Sequence, residues 1–173
     1  VYSIGFMLVI LGRSELFTEH TTLAVIPVLD NQASAGQLAR LWGLVYVGNI
    51  VGGVLFTLLV VLLIPGLSVI STGAFEPIAI TLVAHALEWL FVGGVFAGWL
   101  MGLLAWLITA ARETTSRLLI IFIVTATIGV LHLPHSIAGN VEVLFGLIIS
   151  PEVSISNYVA FLALATVGNA VGG

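Results

Sequence analysis

Val47-Gly48-Asn49-Ile50-Val51-Gly52-Gly53 recurs as Val167-Gly168-Asn169-Ala170-Val171-Gly172-Gly173, six of seven residues identical across an offset of 120 positions. Each copy follows an apolar run interrupted by polar residues: GRSELFTEH at 12–20 precedes the first copy and HLPHSIAGN at 132–140 precedes the second. An interrupted segment followed by a Gly-Asn segment thus occurs twice. Around this repeat 60% of the 173 residues are hydrophobic and 7% charged, with a mean hydropathy of +1.26, whereas ordinary soluble domains carry about 25% charged residues. The composition is that of a membrane protein.

One crossing of the bilayer takes roughly 20 helical residues. Polar punctuation divides the chain into five such segments: 1–28 with its interruption, 41–64 ending at Pro65-Gly66, 77–111, 117–149 with its interruption, and one starting near Ile155. Long unbroken runs of this kind are helices, since outer-membrane strands are about 10 residues of alternating pattern. The third run exceeds a perpendicular crossing, which predicts a tilted or protruding helix. The fold expected is therefore an all-α multi-pass membrane domain over 1–173, with a first repeat portion at 1–64, a linking helix at 77–111 and a second repeat portion at 117–173.

The two Gly-Asn segments stand three crossings apart and so run through the bilayer in opposite directions, which makes the repeat an inverted one. Inverted repeats that each contain a discontinuous helix recur in transport proteins. Unpaired backbone at membrane depth is tolerated only inside protein or beside a water-filled cavity, so two breaks predict one aqueous path. Small residues in Gly48, Gly52, Gly168 and Gly172 allow helix backbones to approach closely. The chain opens on VYSIGFMLVIL, without an initiator Met, a basic n-region or a small-residue cleavage site, which argues against a signal peptide. The expectation is a fragment lacking the first helix and the end of the last.

Four arginines and no lysine cannot track a nucleic-acid backbone, which excludes that partner. Without cysteine there is no thiol nucleophile, disulfide or thiolate metal site, and neither a metal nor a cofactor is expected. Arg40 follows the first segment and Arg112 and Arg117 follow the third, while the opposite loops, 65–76 and 150–154, carry Glu76 and Glu152. The positive-inside rule then makes loops 29–40 and 112–117 cytoplasmic.

Four motifs together resemble the formate/nitrite transporter family: Ser14-Glu15-Leu16-Phe17-Thr18 in the first break, the paired Gly48-Asn49 and Gly168-Asn169 helices, and His135-Ser136-Ile137-Ala138 in the second break. The resemblance implies an aquaporin-like protomer of six helices in a homopentamer of the bacterial or archaeal inner (plasma) membrane. Each protomer would pass small monovalent weak-acid anions such as formate or nitrite, in some members together with a proton. Carried over by motif, His135 and Thr18 face each other at the pore centre and Leu16 and Phe17 form part of an apolar constriction. Phe6 and Ile128 fall on further rings of it.

The chain departs from the family in several places: Gly139 follows Ala138 where Asn is usual, Pro134 precedes His135 where Glu is frequent, and an Asn is replaced around Gly98-Trp99. The family's half-buried lysine has no counterpart in Thr81-Leu82-Val83-Ala84-His85, where His85 is the one basic candidate to replace it in the pore.

Ionisable groups inside a span cost several kcal/mol unless paired or wetted, and so are functional candidates. His85 and Glu88 share a helical face at i, i+3 spacing and form either a packing pair or a vestibule feature. His132 reads as a helix-end or vestibule residue. Glu142, two turns after His135, either lines an exit or caps a neighbouring element. Arg13, Glu15, Glu19 and His20 read as mutual partners in the first break, and Trp42, Trp89, Trp99 and Trp106 include interfacial anchors. Two other functions compete. Adjacent His135 and Ser136 supply a base and a nucleophile, but neighbours in sequence rarely aim at one another as an intramembrane hydrolase requires, so no enzyme is expected. An aquaporin-like channel for a small neutral solute is the alternative.

Overall fold

The computed structural model describes residues 2–63 and 75–173; Pro65-Gly66 lies outside them. Among the described residues the chain forms helices α1 (Tyr2–Leu11), α2 (Phe17–Leu23), α3 (Ile26–Leu29), α4 (Ala35–Leu63), α5 (Glu76–Val83), α6 (Leu87–Ala110), α7 (Thr114–Val130), α8 (Ser136–Ile149) and α9 (Ile155–Gly172). Three of them, α4, α6 and α9, are long and apolar enough to cross a membrane. The first and fourth segments are interrupted where polar residues intrude, and the interruptions are narrower than the sequence suggested, 12–16 and 131–135.

Both interruptions have one backbone design. Two residues past the end of α1 stands Arg13 (φ 56) and two past the end of α7 stands His132 (φ 49), left-handed residues 119 positions apart. The Ser14 amide donates to the Val9 carbonyl at 2.9 Å and the Leu133 amide to the Ile128 carbonyl at 3.0 Å, the six-to-one bond that closes a helix C-terminus. The chain then runs extended into Leu16 and His135, the N-caps of α2 and α8, again 119 positions apart. A β-branched side chain is a poor occupant of the left-handed region, which costs about 1–2 kcal/mol for an ordinary residue. His132→Val should therefore lower the thermal unfolding midpoint in detergent by an amount of that order, while His132→Asn, which tolerates the conformation, leaves it near that of the parent.

The repeat also shows in how helices pair. α1 packs along α7, α4 against α8 and α2 against α9, while the most extensive contact joins α6 to α9. There a Cβ on Gly98 would collide with the Asn169 backbone, and one on Gly168 would stand 2.6 Å from the Phe91 carbonyl oxygen. Backbones this close leave no room for a side chain, and the same crowding explains why no Asn stands at Gly98. Gly168→Ala should wedge α6 from α9 and cost about 1–3 kcal/mol as overpacking, read as a lowered unfolding midpoint. By contrast, α4 presents Gly48 and Gly52 with no atom within 4 Å of a Cβ built there.

The third segment corrects an expectation. Residues 77–111 are not one tilted helix: α5 stops at Val83, Ala84-His85-Ala86 intervene, and α6 starts at Leu87 after an extended Ala86 (ψ 150). No Gly or Pro marks the break, because its cause is tertiary. α5 buries Ala79 and Leu82 with Val143 of α8 and Phe161 of α9, whereas α6 lies along α9 through its glycines. Two partners in different places require a change of direction.

Candidate functional site

The second halves of the two interrupted helices bring His135 and Thr18 together, Nε2 to Oγ1 at 3.0 Å, with 1% and 0% exposure. Cap chemistry sets the orientation of the imidazole. His135 is the N-cap of α8, and its Nδ1 accepts the Ala138 amide hydrogen at 3.2 Å. In the neutral ring the proton therefore resides on Nε2 and is donated to Thr18 Oγ1. The Thr18 hydroxyl hydrogen is left over, so the pair presents a donor at the centre of the fold.

The breaks are held by the repeated asparagines. Asn49 accepts the Phe17 amide at 2.9 Å and donates to the Glu15 carbonyl at 2.9 Å. At the corresponding positions Asn169 accepts the Ser136 amide at 2.8 Å and donates to the carbonyls of Pro134 at 2.9 Å and Gly94 at 2.8 Å. A primary amide is suited to this, since it both donates and accepts and so satisfies an amide and a carbonyl that the interruption strands. The glycines of the motif were legible as packing residues, but this stapling was not read from the sequence, although a Gly-Asn helix after every break was its signal.

A cavity of about 440 Å3 opens on His135, lined by Phe6, Val9, Leu16, Phe56 and Glu142 among others. Phe6 meets the imidazole edge-on at 5.1 Å between ring centres. Together with Ile128, which is fully buried, Phe6 and Leu16 belong to one apolar cluster with Leu133 and Met101. A second groove of about 600 Å3 runs past Tyr2, Phe75, Leu82, Ile128, His132 and Glu142.

Two candidates are placed elsewhere than the sequence suggested. Phe17 does not line either cavity. Its ring packs on Trp42 and Tyr46 of α4, at 6.0 and 5.1 Å, because the first helical residue points away from the direction of the extended N-cap before it. His85 likewise lines neither cavity. The break after α5 takes it off the helix, against Trp89 at 5.8 Å; among the described residues its buried Nε2 has no partner and it makes no ion pair with the exposed Glu88. Nor does Ser136 form a dyad with His135: both imidazole nitrogens are engaged by other groups, and the Ser136 hydroxyl is buried without a partner. In the first break His20 pairs with Glu15, and the Trp42 indole donates to the His20 carbonyl. Gly139, which replaces the expected Asn, lies against the Phe161 ring, while Asn140 accepts the Tyr158 hydroxyl at 2.6 Å.

These features define an integral membrane protein of two inverted helical repeats, each with an interrupted helix, whose breaks meet at a buried His–Thr contact. The family profile described as Formate/nitrite transporter matches residues 1–173, and the chain belongs to that family. Relatives include the inner membrane protein YfdC of Escherichia coli (strain K12), 31% identical over 99% of this chain and 55% of that protein. The formate channel FocA of the same strain is 27% identical over 99% of this chain and 67% of its own length, and the nitrite transporter NirC of Salmonella typhimurium is 29% identical over 80% and 51%. The chain thus spans about half to two thirds of these relatives. An FNT family ion channel of solved structure superposes with a TM-score of 0.86 at 26% identity, covering 98% of this chain and 69% of the other. A pentameric formate channel with formate bound gives 0.80 at 23% identity, covering 98% and 74%, a likeness of fold.

Proposed function

We propose that this protein passes small monovalent weak-acid anions, formate or nitrite in kind, along a path through each protomer past His135. The observation that carries this reading is the His135–Thr18 donor pair, buried beside an apolar cavity that Phe6 and Leu16 line. A bare anion in that lining loses its water at a cost of several kcal/mol. The Thr18 hydroxyl hydrogen, left over by the bond it accepts from His135 Nε2–H, replaces part of the lost hydration, and a proton taken up at the pair removes most of the remaining penalty. Relatives named as a formate channel and a nitrite transporter support the substrate class. The likeness in fold to a pentameric channel supports assembly as a homopentamer with one path per subunit. Arg40, Arg112 and Arg117 support cytoplasmic placement of loops 29–40 and 112–117.

Liposomes containing the protein, challenged with formate, nitrite and glycerol, should take up the two anions and not glycerol. Uptake of glycerol alone would instead establish the neutral-solute channel. Native mass measurement of the purified protein should give five copies.

A further inference from the structure

We propose that Glu142 is the charge-selecting residue of the path, a carboxylate that opposes anions while ionised and admits them when protonated; the inference rests on the anion-path reading above. Glu142 lines both the cavity that reaches His135 and the wider groove beyond it. A solute moving from one to the other passes this side chain. It lies seven residues after His135 on α8, two turns on the same face and about 10 Å along the axis.

What surrounds the carboxylate decides its effect. Glu142 is half-buried and makes neither an ion pair nor a side-chain hydrogen bond among the described residues. The titratable groups around the two cavities are the Tyr2 hydroxyl from α1, His132 from the second break and His135 itself; α4, α5 and α7 contribute apolar residues such as Phe56, Leu82 and Phe122. No arginine lines either cavity, the chain has no lysine, and residues 64–74 contain no ionisable group. Among the described residues, no arginine or lysine side chain beside the two cavities therefore offsets the carboxylate. Two unit charges about 10 Å apart at an effective dielectric constant near 20 interact strongly enough to lower anion occupancy beside His135 on the order of tenfold.

Nitrate separates this effect from protonation of the substrate, because it remains an anion throughout the accessible range. Any pH dependence of its uptake belongs to the protein. In liposomes between about pH 4 and 8, a range that spans an ordinary carboxyl, the parent protein should admit little nitrate at pH 8 and more as the medium is acidified. Glu142→Gln should raise nitrate uptake at pH 8 on the order of tenfold, and Glu142→Ala should do the same if the Gln variant fails to assemble. Equal nitrate uptake by parent and both variants at pH 8 would overturn the role of Glu142 while formate uptake by the parent continues to support the anion path. A parent protein that takes up neither formate nor nitrate at any pH overturns both.

Discussion

Asn169→Ala should leave no stably folded protein. The side-chain amide holds the Ser136 amide and the Pro134 and Gly94 carbonyls, all inside the bundle and fully buried. Truncation strands three backbone groups where neither water nor a neighbouring turn can take over, and each buried orphan costs about 1–3 kcal/mol. The sum is at least about 3 kcal/mol, a large part of the roughly 5–15 kcal/mol that holds an average domain together. It also removes the cross-link that joins α6 to the second break. Asn49→Ala is the informative comparison, since Asn49 makes two such bonds and is only half-buried. Its loss should lower the unfolding midpoint measurably yet leave a folded population. Size-exclusion profiles and thermal unfolding in detergent check both, and an Asn169→Ala protein as stable as Asn49→Ala would show that the staples are not what holds the breaks.

Much of this architecture was legible because it depends on pattern. The recurrence of Gly-Asn-x-Val-Gly-Gly after each interrupted run located both breaks, and its odd spacing in crossings gave their opposed directions. Contact between Thr18 and His135, 117 residues apart in the chain, was expected from the family resemblance; periodicity alone gives no reason to pair them. The break at Ala84–Ala86 was hidden, since alanine and histidine carry no local stop signal and the change of direction comes from packing against α8 and α9. Phe17 and Leu16 were indistinguishable as adjacent apolar residues until the N-cap geometry sent one to the cavity and the other to α4. The left-handed Arg13 and His132 were equally invisible, because neither is a glycine or asparagine.

His135 carries two duties that different substitutions separate. As N-cap of α8 it accepts the Ala138 amide through Nδ1, and as a cavity residue it presents Nε2–H beside Thr18. His135→Asn keeps a side-chain acceptor at a cap position where asparagine is among the best occupants, whereas His135→Phe removes it at a cost of about 1 kcal/mol. Both remove the titratable ring. Assembly should therefore survive in both variants, with the Phe variant somewhat less stable by thermal unfolding. Transport should not survive in the Phe variant, because an apolar ring at this position removes both the partner that orients the Thr18 hydroxyl and the group that takes up a proton, against a desolvation cost of several kcal/mol, and each 1.4 kcal/mol of barrier is about tenfold in rate. In the parent, formate uptake should rise as the external pH falls across about 5–8, the interval around an ordinary histidine. The Asn variant retains a polar waypoint without a proton donor, so its uptake should be low and should follow only the fraction of substrate already protonated in the medium. Uptake by correctly assembled His135→Phe protein that keeps both the size and the pH dependence of the parent would reduce the histidine to a helix cap and assign proton delivery to water.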